Sequence, residues 1–299
     1  MTAVSPHTVG CKTMLKYNFS GFADEIAPEL DAQIATLNEI GVKYMELRSV
    51  DKINVGDFTM EFAKEIKEKL DKGGIKVSAI GSPIGKIKLD EDFEAHFEKY
   101  KHVVELAKLF GTKYIRIFSF YIDKEDDPEV HFEQIIANLK RFLEYAKEQD
   151  IILLHENEKG IYGDTPERCK KIFDELYCEN FRCTYDPANF VQCGCDTAKG
   201  FDLLAPYVEY MHIKDARYSD GLVVPPGQGD GQIKTLMEKL SAKNYNGFIS
   251  LEPHLKKFAG LEALENGENL SINENAEFDG ATAFKLAHKC LSEIIATVK

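Results

Sequence analysis

The chain has 299 residues, of which 44% are hydrophobic and 29% are charged, and this composition is typical of a globular protein. Its 37 Lys and Arg residues against 50 Asp and Glu residues give a formal net charge of −13. Because a negative surface repels phosphate groups, we expect no nucleic acid and no membrane among the partners. The composition also excludes disordered and collagen-like classes, and no apolar run approaches the length of a membrane span.

The first residues contain no uninterrupted apolar segment of the kind found in secretory signals. We interpret residues 1–15 as a flexible leader and residues 16–299 as a single domain. The seven cysteines are an odd number, which favours free thiols in a reducing compartment over a disulfide framework. The sequence therefore predicts a cytoplasmic protein.

Short β-rich runs alternate with longer amphipathic segments along the chain. The starts of the runs are about 33 residues apart on average, close to the roughly 30 residues of a strand–helix unit that returns to a parallel strand. Eight runs predict strands, at residues 16–21, 43–47, 75–80, 113–118, 151–155, 181–186, 207–213 and 247–252.

The segments between these strands have the apolar spacing of helices. Residues 90–110 and 130–149 each carry apolar side chains at three-to-four spacing, which predicts one buried stripe per helix. Gly41, Gly74 and Gly111 stand where helices should stop before the next strand. Eight strands alternating with helices favour an α/β fold, a closed (β/α)8 TIM barrel, over an open sheet. We expect the long acidic connection 255–280 to form a lid or an edge flap.

Four consecutive predicted strands end in ionisable residues, and in a parallel barrel such ends meet at one mouth. These residues are Glu156, Asp186, His212 and Glu252. Three carboxylates at one mouth repel each other, so a cation must compensate them. Three oxygen donors and one imidazole nitrogen suit one divalent metal ion, Mn²⁺ first, with Mg²⁺, Co²⁺ or Zn²⁺ as alternatives.

The alternative interpretation of these strand ends is a salt-bridged network with Lys214 and Arg217 as counter-charges. The same two residues are candidates for holding substrate hydroxyl, carboxylate or phosphate groups. At the end of predicted strand two, Glu46 and Arg48 either pair with each other or contact the substrate.

The sequence resembles the sugar-phosphate isomerase/epimerase superfamily, whose members have a xylose isomerase-like TIM barrel and include ketose 3-epimerases and inosose dehydratases. The resemblance extends from about residue 19 to the C-terminus. It rests on the order and spacing of short motifs, namely Phe22-Ala23-Asp24-Glu25-Ile26, Tyr44-Met45-Glu46-Leu47-Arg48, Gly81-Ser82-Pro83-Ile84-Gly85-Lys86, His155-Glu156-Asn157, Asp186-Pro187-Ala188-Asn189, His212-Ile213-Lys214-Asp215, Pro226-Gly227-Gln228-Gly229 and Leu251-Glu252-Pro253.

The resemblance implies that Glu156, Asp186, His212 and Glu252 hold the metal, and that Glu156 and Glu252 also act as catalytic acid and base on opposite faces of the substrate. Proton transfer would pass through a metal-stabilised enediolate. Ketose epimerases carry a His shortly after the strand-six Asp, whereas this chain has Asn189 there. Expected substrate-binding residues are Glu158, Lys214, Arg217, His155, Asn189 and Lys86.

The sequence thus predicts a metal-dependent isomerase or epimerase acting on a small sugar, sugar phosphate or polyol, with a homodimer expected for a barrel of this size. The alternatives are an inosose-type dehydratase and a non-catalytic sugar-binding barrel. The related DNA-repair endonucleases use three metals and several additional His ligands, which the eight His of this acidic chain do not supply at the strand ends.

Overall fold

The computed structural model describes residues 16–258, 261, 272 and 278–298, so the predicted leader 1–15 and most of the connection 255–280 lie outside the described residues. Eight parallel strands form one sheet. They are β1 (Asn18–Gly21), β2 (Tyr44–Leu47), β3 (Lys76–Ile80), β4 (Tyr114–Ile117), β5 (Ile152–Glu156), β6 (Phe181–Tyr185), β7 (Val208–Ile213) and β8 (Phe248–Leu251). Their order in the sheet is β1-β8-β7-β6-β5-β4-β3-β2. The two end strands of this order, β1 and β2, lie against each other, so the barrel is nearly closed.

The predicted TIM barrel is therefore confirmed, with one strand near each expected run. Helices in the connections pack around the outside of the sheet. They are α1 (Leu30–Glu39), α2 (Met60–Gly73), α3 (Phe93–Phe110), α4 (Phe132–Glu148), α5 (Pro166–Leu176), α6 (Pro187–Gln192), α7 (Thr197–Leu204), α8 (Ile233–Ala242) and α9 (Gly280–Ala296). Among the described residues, no helix has the length and apolar character needed to cross a membrane.

Local sequence signals set the ends of these helices. Helix α3 begins where the Asp92 side chain accepts a hydrogen bond from the Ala95 amide, and it ends at Gly111, whose φ is +74°. Helix α2 ends in the same way at Gly74, with φ of +69°. The apolar stripes predicted for α3 and α4 face each other, and the rings of Tyr100 and Phe142 lie 4.9 Å apart. The capping residues thus start and stop each strand–helix unit so that the next strand returns parallel.

Two short hairpins extend the mouth of the barrel, where the carboxyl ends of the strands lie. Ser49–Val50 pairs with Ile53–Asn54 after β2, and Asp215–Ala216 pairs with Val223–Val224 after β7. The buried Asp215 carboxylate accepts hydrogen bonds from the amides of Gly227, Gly229 and Gly231. A Cβ on Gly229 would lie 2.5 Å from Asp215 Oδ1, so the loop can close on this carboxylate only with glycine there.

Candidate active site

The four expected metal ligands meet at the mouth of the barrel. Glu156 is the last residue of β5, Asp186 and Glu252 directly follow β6 and β8, and His212 lies near the end of β7. All four side chains are buried. One donor atom from each lies within 4.8 Å of the others, close enough to coordinate one ion. The ends of four parallel strands thus bring together side chains that are up to 96 residues apart in sequence.

The imidazole of His212 lies between two groups of carboxylates. Its Nδ1 is 2.7 Å from Glu156 Oε1 and 3.7 Å from Glu252 Oε2. On the other edge of the ring, Nε2 is 3.0 Å from Glu46 Oε2. Glu46 also accepts a hydrogen bond of 2.7 Å from the Ser250 hydroxyl. Every polar atom of the His212 ring therefore faces a carboxylate.

Buried cationic side chains offset part of this negative charge. Lys214 Nζ lies 3.2 Å from Asp186 Oδ2 and 3.3 Å from Glu252 Oε2. Arg116 Nη1 lies 3.2 Å from Glu156 Oε2, and its guanidinium also faces the Phe22 ring at 4.9 Å. These ion pairs therefore connect side chains from the carboxyl ends of five neighbouring strands, β4 to β8.

Arg48 forms a second layer of ion pairs behind Glu252. Its guanidinium donates to Glu252 Oε1 at 3.0 Å, to Asp24 at 2.8 Å and to Glu25 at 3.1 Å. It also lies over the ring of Phe22, 4.3 Å from the centroid. Of the two interactions left open for Glu46 and Arg48, pairing with each other is not observed, because Glu46 points to His212 and Arg48 points to the acidic residues near β1.

The charges at the mouth fit a bound divalent cation. Among the described residues at the mouth, six buried carboxylates face three buried Arg or Lys side chains, so the acidic groups outnumber the Arg and Lys side chains. Glu156 Oε2 and Asp186 Oδ2 are buried and accept no hydrogen bond from the described chain. Oxygen atoms of this kind, beside one imidazole, are ligands for Mn²⁺ or Mg²⁺. The six carboxylates are Asp24, Glu25, Glu46, Glu156, Asp186 and Glu252, and the three cations are Arg48, Arg116 and Lys214.

Burial and neighbouring charges shift the pKa values of Asp186, Glu252 and Lys214 in different directions. Burial raises the pKa of the Asp186 carboxyl to about 7, although Lys214 acts in the opposite direction. Burial also disfavours the charged form of Glu252, but Lys214 and His254 outweigh it and hold the pKa of this carboxyl well below its usual range. Lys214 loses hydration on burial, yet Asp186 and Glu252 raise its pKa well above the ordinary value. Lys214 is therefore a protonated donor and Glu252 an anion at neutral pH.

Four of the expected substrate-binding residues line a small cleft beside the cluster formed by Glu156, Asp186, His212 and Glu252. The cleft is bounded by Lys86, Glu158, Asn189 and Lys214, together with Arg116 and Glu252. Lys86 Nζ lies 3.2 Å from Glu158 Oε2 and 4.5 Å from the centroid of the Phe118 ring. Burial disfavours the Glu158 carboxylate, but Lys86 and Lys214 lower its pKa below the usual value. Asn189 donates its side-chain amide to the Asn157 carbonyl at 2.9 Å.

A tight turn holds Lys86 in this place. Gly85 has φ of +89°, and a Cβ there would lie 2.1 Å from the Phe118 carbonyl oxygen. The amide of Gly85 donates to His96 Nε2 at 2.8 Å. Since only glycine fits this close approach, the turn determines the path of the chain into Lys86.

The structure does not bring His155 or Arg217 to the cluster. Successive residues of a strand point to opposite faces, so Glu156 enters the mouth while His155 points outward to helix α5. The His155 ring packs near Phe173 and Phe181, and burial lowers its pKa to about 3. Arg217 lies in the hairpin after β7, where its Nε donates to the exposed Asp220 at 3.2 Å.

Sequence reasoning missed the parts played by Glu46 and Arg116. Both are single charged residues inside otherwise apolar strands, Tyr44-Met45-Glu46-Leu47 and Tyr114-Ile115-Arg116-Ile117. Each is no more than 2% exposed. A charged side chain within a buried strand requires a partner of opposite charge or a hydrogen-bond partner. A single charged residue in an apolar strand could therefore have indicated that Glu46 and Arg116 belong to the site.

Comparison with known proteins agrees with this fold. A family model described as a xylose isomerase-like TIM barrel matches residues 34–277. Inosose dehydratase from Lacticaseibacillus casei is 21% identical over 262 residues, covering 78% of this chain and 86% of that protein. For 3-dehydroshikimate dehydratase from Bacillus anthracis, the identity is 24% over 138 residues, 46% of this chain, and the match spans about half (49%) of that protein.

Among solved structures, D-psicose 3-epimerase from Clostridium cellulolyticum H10 superposes with a TM-score of 0.71. The sequence identity is 13%, and the match covers 93% of this chain and 99% of that one. Epimerases and dehydratases thus share this fold. Because the family model matches most of the chain, the protein belongs to the xylose isomerase-like TIM barrel family.

Proposed function

We propose that the protein is a metal-dependent isomerase or epimerase that acts on a small sugar, sugar phosphate or polyol. The observation that carries the proposal is the cluster of Glu156, Asp186, His212 and Glu252, whose donor atoms lie within 4.8 Å of one another. The four side chains would hold one divalent ion, with Mn²⁺ preferred. Such an ion supplies Lewis acidity, which polarises a substrate carbonyl and acidifies the neighbouring carbon-bound proton.

Proton transfer is assigned to the two glutamates. Glu156 and Glu252 end β5 and β8, which are three strands apart around the barrel, so they reach a bound substrate from different sides. One carboxylate takes the proton as the C–H bond breaks and its electron pair moves toward the adjacent carbonyl. In epimerisation the other glutamate, which starts as the carboxylic acid, delivers its own proton to the opposite face of the same carbon as the electron pair returns. In isomerisation a proton goes instead to the neighbouring carbon, and a hydroxyl proton moves from one substrate oxygen to the other.

The lining of the cleft supports a polyhydroxylated substrate. Lys86 and Lys214 donate, Glu158 accepts, and Asn189 can do both. In this assignment Lys214 holds the substrate oxygen nearest to Asp186 and Glu252, and the Lys86–Glu158 pair binds hydroxyl groups farther out. We leave His155 and Arg217 out of the proposed substrate site, since neither faces the cleft.

A dehydratase is the second candidate, and Lys214 is the observation that favours it. Its ammonium group, 3.2 Å from Asp186 and 3.3 Å from Glu252, is placed to protonate a departing hydroxyl. A glutamate would remove the carbon-bound proton, the C–O bond would break, and the hydroxide would leave as water with the proton from Lys214. Two of the relatives similar to this chain are named dehydratases.

The two candidates separate in one experiment. Mn²⁺-loaded protein is incubated in D₂O with a panel of ketoses, sugar phosphates and inososes, and the products are read by NMR and mass spectrometry. Deuterium at one carbon with unchanged composition supports the isomerase or epimerase, whereas loss of one water supports the dehydratase. Binding of a panel member without exchange or product would instead indicate a non-catalytic sugar-binding barrel. Cytoplasmic location and a homodimer stay predictions.

A further inference from the structure

Glu46 crosses the interior of the barrel to reach His212. It lies in β2, whereas His212 lies in β7, on the far side of β1 and β8. The Glu46 side chain is fully buried, and both of its oxygens lie within 3.2 Å of His212 Nε2. The structure pairs this carboxylate with the imidazole of His212. A buried carboxylate is costly unless it is paired, so this contact with an imidazole needs an explanation.

The contact determines which nitrogen of His212 can face the metal ligands. A neutral imidazole carries its proton on one nitrogen and offers the lone pair of the other. A carboxylate can only accept, so both nitrogens of the ring face an accepting group, Glu46 at 3.0 Å from Nε2 and Glu156 at 2.7 Å from Nδ1. A cation held by Glu156, Asp186 and Glu252 would take the position of the proton on Nδ1, which also lies 3.7 Å from Glu252. Glu46 would then keep the remaining proton on Nε2, and this is the tautomer in which the imidazole can bind a cation.

Glu46 is itself held by the hydroxyl group of Ser250, and further buried hydroxyl groups lie beneath it. Ser250 lies on β8, directly beside His212 of β7, and its hydroxyl donates to Glu46 Oε2 at 2.7 Å. Below this layer, the Tyr210 hydroxyl is 2.9 Å from Ser78 Oγ, which is 2.6 Å from Ser20 Oγ. The interior of the barrel is thus polar directly beneath the cluster, and the carboxylate of Glu46 has a defined orientation.

We propose that Glu46 is a positioning residue for the metal centre, which orients His212 and fixes its tautomer so that Nδ1 binds the cation, with Ser250 holding Glu46 in place. The inference rests on the metal-dependent function proposed above. Hydrogen-bond partners of metal-binding histidines typically change metal affinity about 10–100-fold when they are removed. In the described part of the chain, the Glu46 side chain hydrogen-bonds to His212 and Ser250 and does not line the cleft, so we expect its effect to pass through His212.

The test compares the wild-type protein with Glu46→Gln, Ser250→Ala and Glu158→Gln. Glu158→Gln is the matched control, because it too removes one negative charge near the barrel mouth, but the Glu158 carboxylate pairs with Lys86 and not with His212. Mn²⁺ affinity is measured by calorimetric titration of each full-length protein. The tautomer of His212 is read from ¹⁵N NMR of the histidine side chains in the Zn²⁺-loaded proteins. Thermal unfolding establishes that each variant is folded.

We expect Glu46→Gln to weaken Mn²⁺ binding about tenfold or more, Ser250→Ala to weaken it less, and Glu158→Gln to have the smallest effect. His212 of the loaded wild type should carry its proton on Nε2, and that signal should broaden or divide in Glu46→Gln. Equal loss of affinity in Glu46→Gln and Glu158→Gln, with an unchanged His212 signal, would overturn the inference and leave the metal site standing. A wild-type protein that binds neither Mn²⁺ nor Zn²⁺ would instead overturn the proposed function.

Discussion

The ammonium group of Lys214 lies 3.2 Å from Asp186 Oδ2, and both side chains are buried. Removing this cation leaves the carboxylates of Asp186 and Glu252 facing each other. We expect Lys214→Met to lower the free energy of unfolding of the metal-free protein by about 3 kcal/mol and Mn²⁺ to recover much of the loss. Chemical denaturation with and without Mn²⁺ measures the free energy of unfolding. The control is Lys199→Ala, which removes an exposed ion pair with Asp196.

Lys214→Met should also weaken substrate binding while metal remains bound in a one-to-one ratio. The reason is that Lys214 faces the cleft and is not one of the four ligands. KM together with metal content, determined by elemental analysis, checks the expectation. A variant without metal would mean that Lys214 supports the ligands rather than the substrate.

Chelation is expected to lower both the activity and the unfolding temperature, because the carboxylates of Glu156, Asp186 and Glu252 then lose a shared cation. Added Mn²⁺ should restore both quantities in the same concentration range. Scanning calorimetry and a metal-titrated activity assay provide the two readings. If chelated protein keeps its unfolding temperature and elemental analysis finds no metal, the four-ligand site is wrong.

Glu156→Gln and Glu252→Gln keep the shape of the side chain and one ligand oxygen but remove the group that carries the proton. Each should reduce kcat by about 10²–10⁴-fold. The damage should be unequal, since one variant can still exchange the substrate proton with D₂O without completing the reaction. Glu209→Gln is the matched control, because Glu209 lies near the opposite end of β7 and bonds to the Tyr114 hydroxyl. Near wild-type turnover in either metal-loaded variant would reject the two-glutamate mechanism.

Stability should fall in mild acid because of His96. Burial, assisted by the nearby Lys99, lowers its pKa to about 4, against an ordinary value of 6.5. Between these values the unfolded chain binds the proton and the folded chain does not, so this contribution is complete above about pH 6.5 and declines toward about pH 4. His96→Gln should therefore flatten the pH dependence of the free energy of unfolding, measured by urea denaturation at pH 5 and pH 7. An unchanged slope would contradict the assignment.

Gly85→Ala tests the turn that positions Lys86. The new Cβ would meet the Phe118 carbonyl at 2.1 Å with φ at +89°. Gly160 is the matched control, with φ of +75° and no atom within 4 Å of a Cβ. The left-handed conformation alone costs an alanine about 1–2 kcal/mol, so Gly160→Ala should lose that amount and Gly85→Ala clearly more. Urea denaturation measures both, and equal losses would mean that the turn relaxes without strain.

Much of the fold could be predicted because its signals are local. The spacing of apolar residues marks the strands and helices, and caps such as Asp92 and Gly111 mark where a helix begins and ends. The four proposed ligands could be named for a related reason. In a parallel barrel, a residue at the carboxyl end of a strand reaches the mouth whatever the details of packing.

The chain by itself thus determined the order of the strands and the four side chains that meet at their ends. The tertiary structure decided which other charged groups join them. Glu46 and Arg116 lie within β2 and β4, and their partners come from strands that only barrel closure brings near. His155 points away from the mouth for a local reason. Adjacent residues of a strand face opposite sides of the sheet, and Glu156 takes the inward position.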